Sequence, residues 1–341
     1  MLTPKGIRGR MILILMIMTP GIPEYLTGSS KLDAIFQDPS FFFIGLFLNI
    51  GLYTTGALLI REFSIRFNKG WLSVLILGVA YGIIEEGISV HTFLLTSGSP
   101  VGILGSYGRF AGIDWMWALF ISSFHSIFSI GLPLLLLSIA YPRYSRLSLL
   151  GRRGTTAVIS LFFLDVIVAN LLVKGIPGRP FPTDAEYAIM LFLVFFMVLV
   201  AFAVPGNIFS GNSRAMISAK TPYFLGLLVF PLYLLFAYFP SVGSFSKEAP
   251  PAIEAAAYIA VVLTVGALIN RCVPKSQNRK QKFALALGLI SPLIVWGEVM
   301  QLTRVSQLIS LVVIVAVVLL FRLGRWVRAG KYLDPNPLAN P

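Results

Sequence analysis

The chain has 341 residues, of which 57% are hydrophobic and only 12% are charged. A soluble domain carries about 25% charged residues, so this composition excludes a soluble globular protein. The net charge of +13 comes without any motif for reading DNA or RNA. The basic residues lie in short segments between apolar runs, so we expect contact with anionic lipid head groups of the bilayer and no nucleic-acid partner.

Apolar runs recur along the whole chain, and each is about 20 residues long, enough to cross a bilayer as a helix. We therefore predict an all-α polytopic integral membrane protein with about ten transmembrane helices, a single transmembrane domain over 1–333 and a short disordered tail over 334–341. The predicted spans are Met11–Leu26, Phe41–Ile60, Trp71–Leu95, Trp115–Tyr141, Thr155–Val173, Tyr187–Pro205, Pro222–Pro240, Ala252–Asn270, Phe283–Leu302 and Val305–Phe321.

The first span is the weakest, because Pro20 and Pro23 interrupt a short apolar stretch. A signal peptide is the alternative interpretation, but no A-x-A-like cleavage site follows, which favours a retained helix. The single cysteine, Cys272, excludes an intramolecular disulfide and lies just beyond a span.

The distribution of basic residues predicts the orientation of the spans. Most of the 27 Lys and Arg residues lie in alternate connecting segments, beginning with the N-terminus. Because cytoplasmic segments carry the excess of positive charge, both termini are predicted to be cytoplasmic, in a multi-pass protein of the cell membrane.

Two of the predicted outer loops are unusual in composition. Thr96–Asp114 carries five glycines, and Gly175–Glu186 carries three prolines. Such loops can fold back over an outward-facing cavity, or they can be plain turns.

Glu85 and Glu86 are adjacent within the third predicted span. An ionised carboxylate in hydrocarbon costs several kcal/mol, so the pair requires a partner, a proton, a metal ion or a water-filled cavity. Gly78 and Gly82 share a helix face with Glu86, since they are spaced by four residues. Small residues at this spacing allow another helix to approach, which places Glu86 at a helix contact.

His125 in the next span is the expected partner of the two glutamates. Counted from Leu95 and Trp115, Glu85 and His125 each lie ten residues, or about 15 Å, below the outer surface. The two helices are consecutive and antiparallel, so they are expected to be neighbours. Ser122, Ser126 and Ser129 share a helix face with His125, which predicts that this face points into the bundle. The predicted site lies within 71–174.

Other polar residues within spans can support this site or form separate hydrogen bonds between helices. His91 is predicted to lie at the interface or around the site rather than in it. The supporting candidates are Tyr81, Ser122, Ser126, Ser129, Asp165, Asn170 and Glu298.

The segment Gly82–Glu86, followed one helix later by Phe124 and His125, resembles the CPBP family of intramembrane glutamate proteases, which includes CAAX prenyl endopeptidases. The family motifs are E-E-x-x-x-R and F-x-x-x-H, followed by a third motif with His and Asn. The resemblance implies that Glu85 or Glu86 activates a water molecule and that His125 assists. Val90 stands where the family has Arg, and Ile121 stands four residues before His125.

A second resemblance covers more of the chain. It is to a widespread group of prokaryotic polytopic membrane proteins of unassigned function, which implies the architecture and a prokaryotic cell membrane, without an activity. The segments that carry it are Pro23–Ser29, Gly56–Phe63, Tyr81–Gly87, Tyr107–Arg109 and Trp117–Pro133.

Three functions remain open from the sequence. The first is a membrane-embedded hydrolase, most simply a peptidase, with catalytic residues Glu85, Glu86 and His125 and a peptide or small-molecule substrate. The second is a cation- or proton-coupled transporter that uses the intramembrane carboxylates. The third is a non-enzymatic membrane scaffold. A divalent metal ion held by the same three residues is compatible with the first two functions, because carboxylate and imidazole groups both bind such ions.

Overall fold

The computed structural model describes residues 4–31, 33–98, 100–176, 178–206, 218–238, 250–272 and 279–300. Within these residues the chain is almost entirely helical, and nine helices are long and apolar enough to cross a membrane. The predicted all-α polytopic fold is therefore confirmed. The tenth predicted span, Val305–Phe321, and the predicted tail over 334–341 lie outside the described residues. The nine helices are α1 (Gly6–Leu26), α2 (Pro39–Arg66), α3 (Trp71–Ser89), α4 (Trp115–Ala140), α5 (Arg152–Lys174), α6 (Asp184–Ala203), α7 (Lys220–Ala237), α8 (Pro251–Arg271) and α9 (Arg279–Met300).

The first span is a complete helix despite its two prolines. The α-helical part ends at Pro20, and a π-helical segment, Gly21–Leu26, continues it. A proline removes a backbone donor and crowds the preceding turn, so a wider turn accommodates it without ending the helix.

The third span ends earlier than the sequence predicted, at Ser89 rather than Leu95. His91 adopts a left-handed backbone conformation (φ 59°), which ends the helix, and a 3-10 turn follows over Thr92–Leu94. Glu85 therefore lies only about 6 Å along the helix from its end, and the depth of about 15 Å that we derived from Leu95 is wrong. Leu94 and Leu95 are apolar because they are buried in the following loop, not because they cross the bilayer.

The loop between α3 and α4 folds back onto the helix ends. It contains a short antiparallel hairpin of β1 (Arg109–Phe110) and β2 (Ile113–Asp114). The Arg109 guanidinium donates to the carbonyls of Leu94 and Leu95 at 2.9 and 2.7 Å, and to the Gly105 carbonyl at 3.1 Å. A single side chain thus joins the two ends of the loop, which is held against the end of α3.

Helices α3 and α4 are in close contact along the predicted glycine face. A Cβ atom added at Gly78 would lie 2.7 Å from the Cα of Ser126, and one added at Gly82 would lie 2.7 Å from the Cα of Ser122. The predicted contact is therefore confirmed, and it places the glutamate pair of α3 against the histidine of α4.

Gly82→Leu should destabilise the protein, because the new side chain would collide with the backbone of α4, which cannot move aside as a flexible side chain can. Overpacking of this kind costs about 1–3 kcal/mol or more. The thermal unfolding midpoint in detergent measures the effect. Gly45→Leu is the matched control, since a Cβ at Gly45 meets nothing within 4 Å. Equal midpoints for the two variants would contradict the helix contact.

The orientation predicted from charge can be tested by reporter fusions. Fusions at Lys69 and Arg153 should report the cytoplasm, and fusions at Gly105 and Thr183 should report the opposite side. A reversed or mixed pattern would contradict the predicted orientation.

Candidate functional site

Three helices change to π-helical geometry at the level of the candidate site. The π-helical segments are Gly21–Leu26 in α1, Ile83–Ser89 in α3 and His125–Gly131 in α4. They carry Glu24, the Glu85–Glu86 pair and His125 respectively. Because π-helical turns are rare and often occur at functional sites, their coincidence with the intramembrane acidic and imidazole groups marks this region independently of any motif.

His125 lies between the two glutamates, as predicted. Its Nε2 is 3.0 Å from Glu86 Oε1, and its Nδ1 is 3.1 Å from Glu85 Oε2. The hydrogen bond of Nδ1 is with Ser129 Oγ, at 2.9 Å. Glu85 Oε2 has no hydrogen bond among the described residues, so its contact with the ring is electrostatic and not aligned as a hydrogen bond. The imidazole is thus fixed by Glu86 and Ser129, and it faces Glu85.

The second oxygen of Glu86 is bound by the outer loop. Thr92 donates its hydroxyl hydrogen to Glu86 Oε2, and the Trp117 indole donates to Thr92 Oγ1 at 2.9 Å. Each oxygen of Glu86 thus accepts one hydrogen bond, from His125 or from Thr92. The loop that covers the site is also part of its hydrogen-bond network.

Two tyrosines pack beside the imidazole. The rings of Tyr53 and Tyr81 each lie 6.0 Å from the His125 ring, centroid to centroid. Tyr53 donates its hydroxyl hydrogen to Glu24 Oε1 at 2.5 Å. The Tyr81 hydroxyl is buried beside the Glu85 carboxylate and forms no well-aligned hydrogen bond among the described residues.

Sequence reasoning missed Glu24 and Tyr53. Glu24 lies near the end of an interrupted apolar stretch, where a carboxylate ordinarily reaches water, and a tyrosine in a membrane helix carries no special signal. The available signal was the pair of prolines on either side of Gly21, because prolines within a continuing helix require a local change of helical geometry.

The predicted serine face of α4 points inwards. Ser122, Ser126 and Ser129 are all buried. Ser126 donates to the Leu75 carbonyl at 2.7 Å and so links α4 to α3. Of the three serines, Ser129 contacts His125, while Ser122 and Ser126 form the glycine contact described above.

Three other predicted residues do not join this array. Asp165 packs over Gly51 of α2 and has no hydrogen bond or ion pair among the described residues. Glu298 follows Gly297, where α9 packs against the backbone of Leu26. Neither contacts a glutamate of the pair or the imidazole.

Asn170 belongs to a separate cluster on α5. Its side-chain amide lies 2.9 Å from His91 Nε2 and donates to the Tyr187 hydroxyl and to the Ile88 carbonyl, each at 2.6 Å. His91 is fully buried, and burial lowers its imidazole pKa. This cluster fixes the chain where α3 ends, so Asn170 supports the site from outside it.

The arrangement does not resemble a metal centre. Among the described residues, no group of three or more His, Cys, Asp and Glu side chains is placed to hold a metal ion. Glu85 and Glu86 address opposite nitrogens of His125, so their oxygens do not converge with a ring nitrogen on one point.

The array has an excess of negative groups. Glu85 and Glu86 contact one imidazole, Glu24 is linked to it only through Tyr53, and no Lys or Arg side chain is hydrogen-bonded or ion-paired to the three carboxylates among the described residues. Burying that excess charge is costly, so the array must share a proton or a cation beyond the one that His125 can carry.

The model of an uncharacterized membrane protein family matches residues 13–333. The chain belongs to this family. The match confirms the resemblance to a group of polytopic membrane proteins without an assigned activity, and with the nine helices it establishes a multi-pass membrane protein. It does not extend to the CPBP family. No curated protein and no solved structure matches the chain.

The buried carboxyl group of Asp114 provides a pH-dependent test of how the loop between α3 and α4 joins the start of α4. It is buried at the start of α4, and its Oδ1 accepts the backbone N–H of Trp117 at 2.9 Å. Burial raises its pKa from 3.8 to about 6, against the opposing effects of the Trp117 hydrogen bond and Arg109. The folded protein therefore holds this proton more tightly than the unfolded chain does. Stability from this group is present at low pH and is lost as the pH rises to about 6.

Asp114→Asn keeps an oxygen for the helix cap but cannot titrate. We expect the variant to lose less stability than the wild type as the pH rises from about 4 to 6. The unfolding midpoint in detergent, measured across this range, compares the two proteins. Asp38→Asn, at an exposed cap, is the control. Parallel pH profiles for wild type and Asp114→Asn would contradict the burial of the carboxyl group.

Proposed function

We propose that this protein is a membrane-embedded hydrolase that cleaves an acyl bond, most simply a peptide bond, at the Glu85–His125–Glu86 array. The observation that carries the proposal is the placement of two carboxylates on opposite nitrogens of one buried imidazole, at 3.1 and 3.0 Å. An imidazole oriented by one carboxylate and facing a second is an arrangement that general acid–base chemistry requires.

The contacts favour different roles for the two glutamates. Both oxygens of Glu86 are hydrogen-bonded, one of them to His125, so Glu86 orients the imidazole and balances its charge. Glu85 Oε2 retains hydrogen-bonding capacity, which suits a general base that takes a proton from water. The Tyr81 hydroxyl is a buried donor beside the Glu85 carboxylate, which suits stabilisation of an oxyanion formed next to that base.

In the proposed reaction, water attacks the scissile carbonyl as Glu85 accepts its proton. A tetrahedral intermediate forms, and its oxyanion accepts a hydrogen bond from Tyr81. The carbon–nitrogen bond then breaks as Glu85 passes this proton to the leaving amine, so that one water is consumed, a carboxylic acid and an amine are formed, and Glu85 is again a carboxylate. His125 supplies positive charge beside these steps.

The residues on the inner side of the site favour an enzyme over a transporter with a polar pathway across the membrane. Below the glutamate pair, α3 presents Val74 and Leu77, and below His125, α4 presents Ile130 and Leu134. All four are buried in one apolar cluster. Buried Ser73 and Ser126 lie at the same level, so the packing there is mainly rather than wholly apolar, which suits a hydrolytic site with access from one side only.

The CPBP resemblance supports the same chemistry through the glutamate pair and His125. The position of the family's motif arginine is taken by Val90, whose carbonyl accepts a hydrogen bond from Arg179 at 3.3 Å. An arginine from another loop therefore reaches the segment where the motif has its own. A peptide substrate and a cell-membrane location belong to this proposal.

The excess of carboxylates favours a second candidate, a proton- or cation-coupled transporter. Three carboxylates linked to one imidazole can exchange a proton or a cation, as coupled transporters require. In that case the apolar cluster beneath the site would be the closed gate of an outward-facing state. A scaffold is least supported, since buried polar atoms without partners serve no structural purpose.

Glu85→Gln should abolish hydrolysis while leaving the fold intact, because the amide cannot accept the proton. Loss of a general base costs about 10²–10⁴ in rate, and His125→Ala should cost somewhat less. The assay incubates purified protein in proteoliposomes with membrane peptides in ¹⁸O-water, and mass spectrometry detects ¹⁸O in the new carboxyl termini. Glu298→Gln is the control, as an intramembrane carboxylate outside the array.

Undiminished ¹⁸O incorporation in Glu85→Gln would contradict the assignment of the base. If no protein incorporates ¹⁸O, but Glu85→Gln alters dissipation of an imposed pH gradient in the same vesicles, the transporter is the better account.

A further inference from the structure

Glu24 and Tyr53 form a link that the proposed reaction does not use. The Tyr53 hydroxyl donates to Glu24 Oε1 at 2.5 Å, and Ser30 Oγ donates to Glu24 Oε2, also at 2.5 Å. Asn49 lies 3.4 Å from Ser30 Oγ. Glu24 is thus held by two hydroxyl groups from different parts of the chain, although it lies within a membrane helix.

The link reaches the catalytic array at its inner end. Tyr53 is 1% exposed, and its ring packs 6.0 Å from that of His125 and 5.8 Å from that of Tyr81. Its hydroxyl interacts with the Glu85 carboxylate as well as with Glu24. Glu24 interacts electrostatically with both Glu85 and His125. Tyr53 therefore stands between two carboxylates, one in the array and one outside it.

The end of the link away from the array consists of partly exposed residues. Glu24, Ser30 and Asn49 are each only partly buried, whereas Glu85 and His125 are buried. The loop between α3 and α4 contacts the array through a different group, since Thr92 donates to Glu86. The Glu24 branch therefore leads from the buried array to partly exposed polar groups without using a residue of the loop between α3 and α4.

We propose that Glu24 and Tyr53 are a proton-exchange branch of the site, through which the covered Glu85–His125 array equilibrates with the outer surface. The role in turnover rests on the proposed function, because the product carboxylic acid carries a proton, which Glu85 accepts as the acid leaves as a carboxylate. In the transfer, Tyr53 accepts a proton from Glu85 and releases its own hydroxyl proton to Glu24. One proton moves outward, the tyrosine ends unchanged, and no other reactant is needed.

The test measures how fast His125 exchanges its ring protons with solvent, which requires no substrate. The chain has two histidines, so His91→Gln leaves His125 as the only one in a sample labelled with ¹⁵N-histidine. The exchange rate of its ring N–H groups is then measured by NMR in bilayers after transfer to deuterated water. Glu24→Gln and Tyr53→Phe each break the branch, and Asp38→Asn removes an exposed carboxylate elsewhere.

We expect Glu24→Gln and Tyr53→Phe to slow the exchange at least about tenfold, as loss of a positioned proton-transfer group does. Glu24→Asp, which keeps a carboxylate, should restore much of the rate, and Asp38→Asn should not change it. A merely structural role would lower the unfolding midpoint without this pattern. Wild-type exchange in Tyr53→Phe would overturn the proposal, even if Glu24→Gln fails to fold.

The result of the ring-proton exchange measurement can be distinguished from the result of the hydrolase assay. Slowed exchange without any ¹⁸O incorporation would keep the branch and reject hydrolysis. Unchanged exchange with Glu85-dependent incorporation would reject the branch and keep the enzyme.

Discussion

The structure depends on the cost of holding carboxylates away from water. Two adjacent glutamates near the end of a membrane helix require compensation of several kcal/mol, and the surrounding elements supply it. His125 contacts both, Thr92 and Trp117 satisfy the outer side of Glu86, and Ser129 holds the ring. Glu85 has fewer hydrogen bonds than Glu86 to offset the cost of its burial, so its carboxylate is the one with capacity to bind a further proton donor.

The local irregularities of the helices follow from this requirement. Adjacent residues of an α-helix point about 100° apart, so Glu85 and Glu86 do not naturally address a single side chain. The π-helical geometry of Ile83–Ser89 and His125–Gly131 changes the directions of side chains at these positions. Gly78 and Gly82 then allow α4 to approach until the imidazole reaches both carboxylates.

Much of the fold followed from apolar length alone, because a bilayer imposes the same requirement on every span. The end of α3 could not be predicted from apolar length, because leucines such as Leu94 and Leu95 occur both in membrane spans and in buried loops. Only the left-handed backbone of His91 distinguishes the two cases, and a non-glycine residue does not predict that conformation.

The Glu–His pairing was predicted from a depth estimate whose starting point was wrong. The predicted pairing was nevertheless correct, because the glycine face of α3 and the serine face of α4 independently place these two helices in contact. Glu24 was missed because its hydrogen-bond partner Tyr53 is 29 residues away on another helix.

One imidazole contacts two carboxylates within the membrane helices. Solid-state NMR on bilayer samples with His91→Gln, ¹⁵N-histidine and ¹³C-labelled glutamate carboxyl groups measures it directly. The account predicts that both ring nitrogens of His125 show short-range couplings to carboxyl carbons, with Glu86→Gln removing the Nε2 coupling to a carboxylate and Glu85→Gln removing that of Nδ1. A ring nitrogen coupled to neither carboxylate, or couplings unaffected by both substitutions, would contradict it.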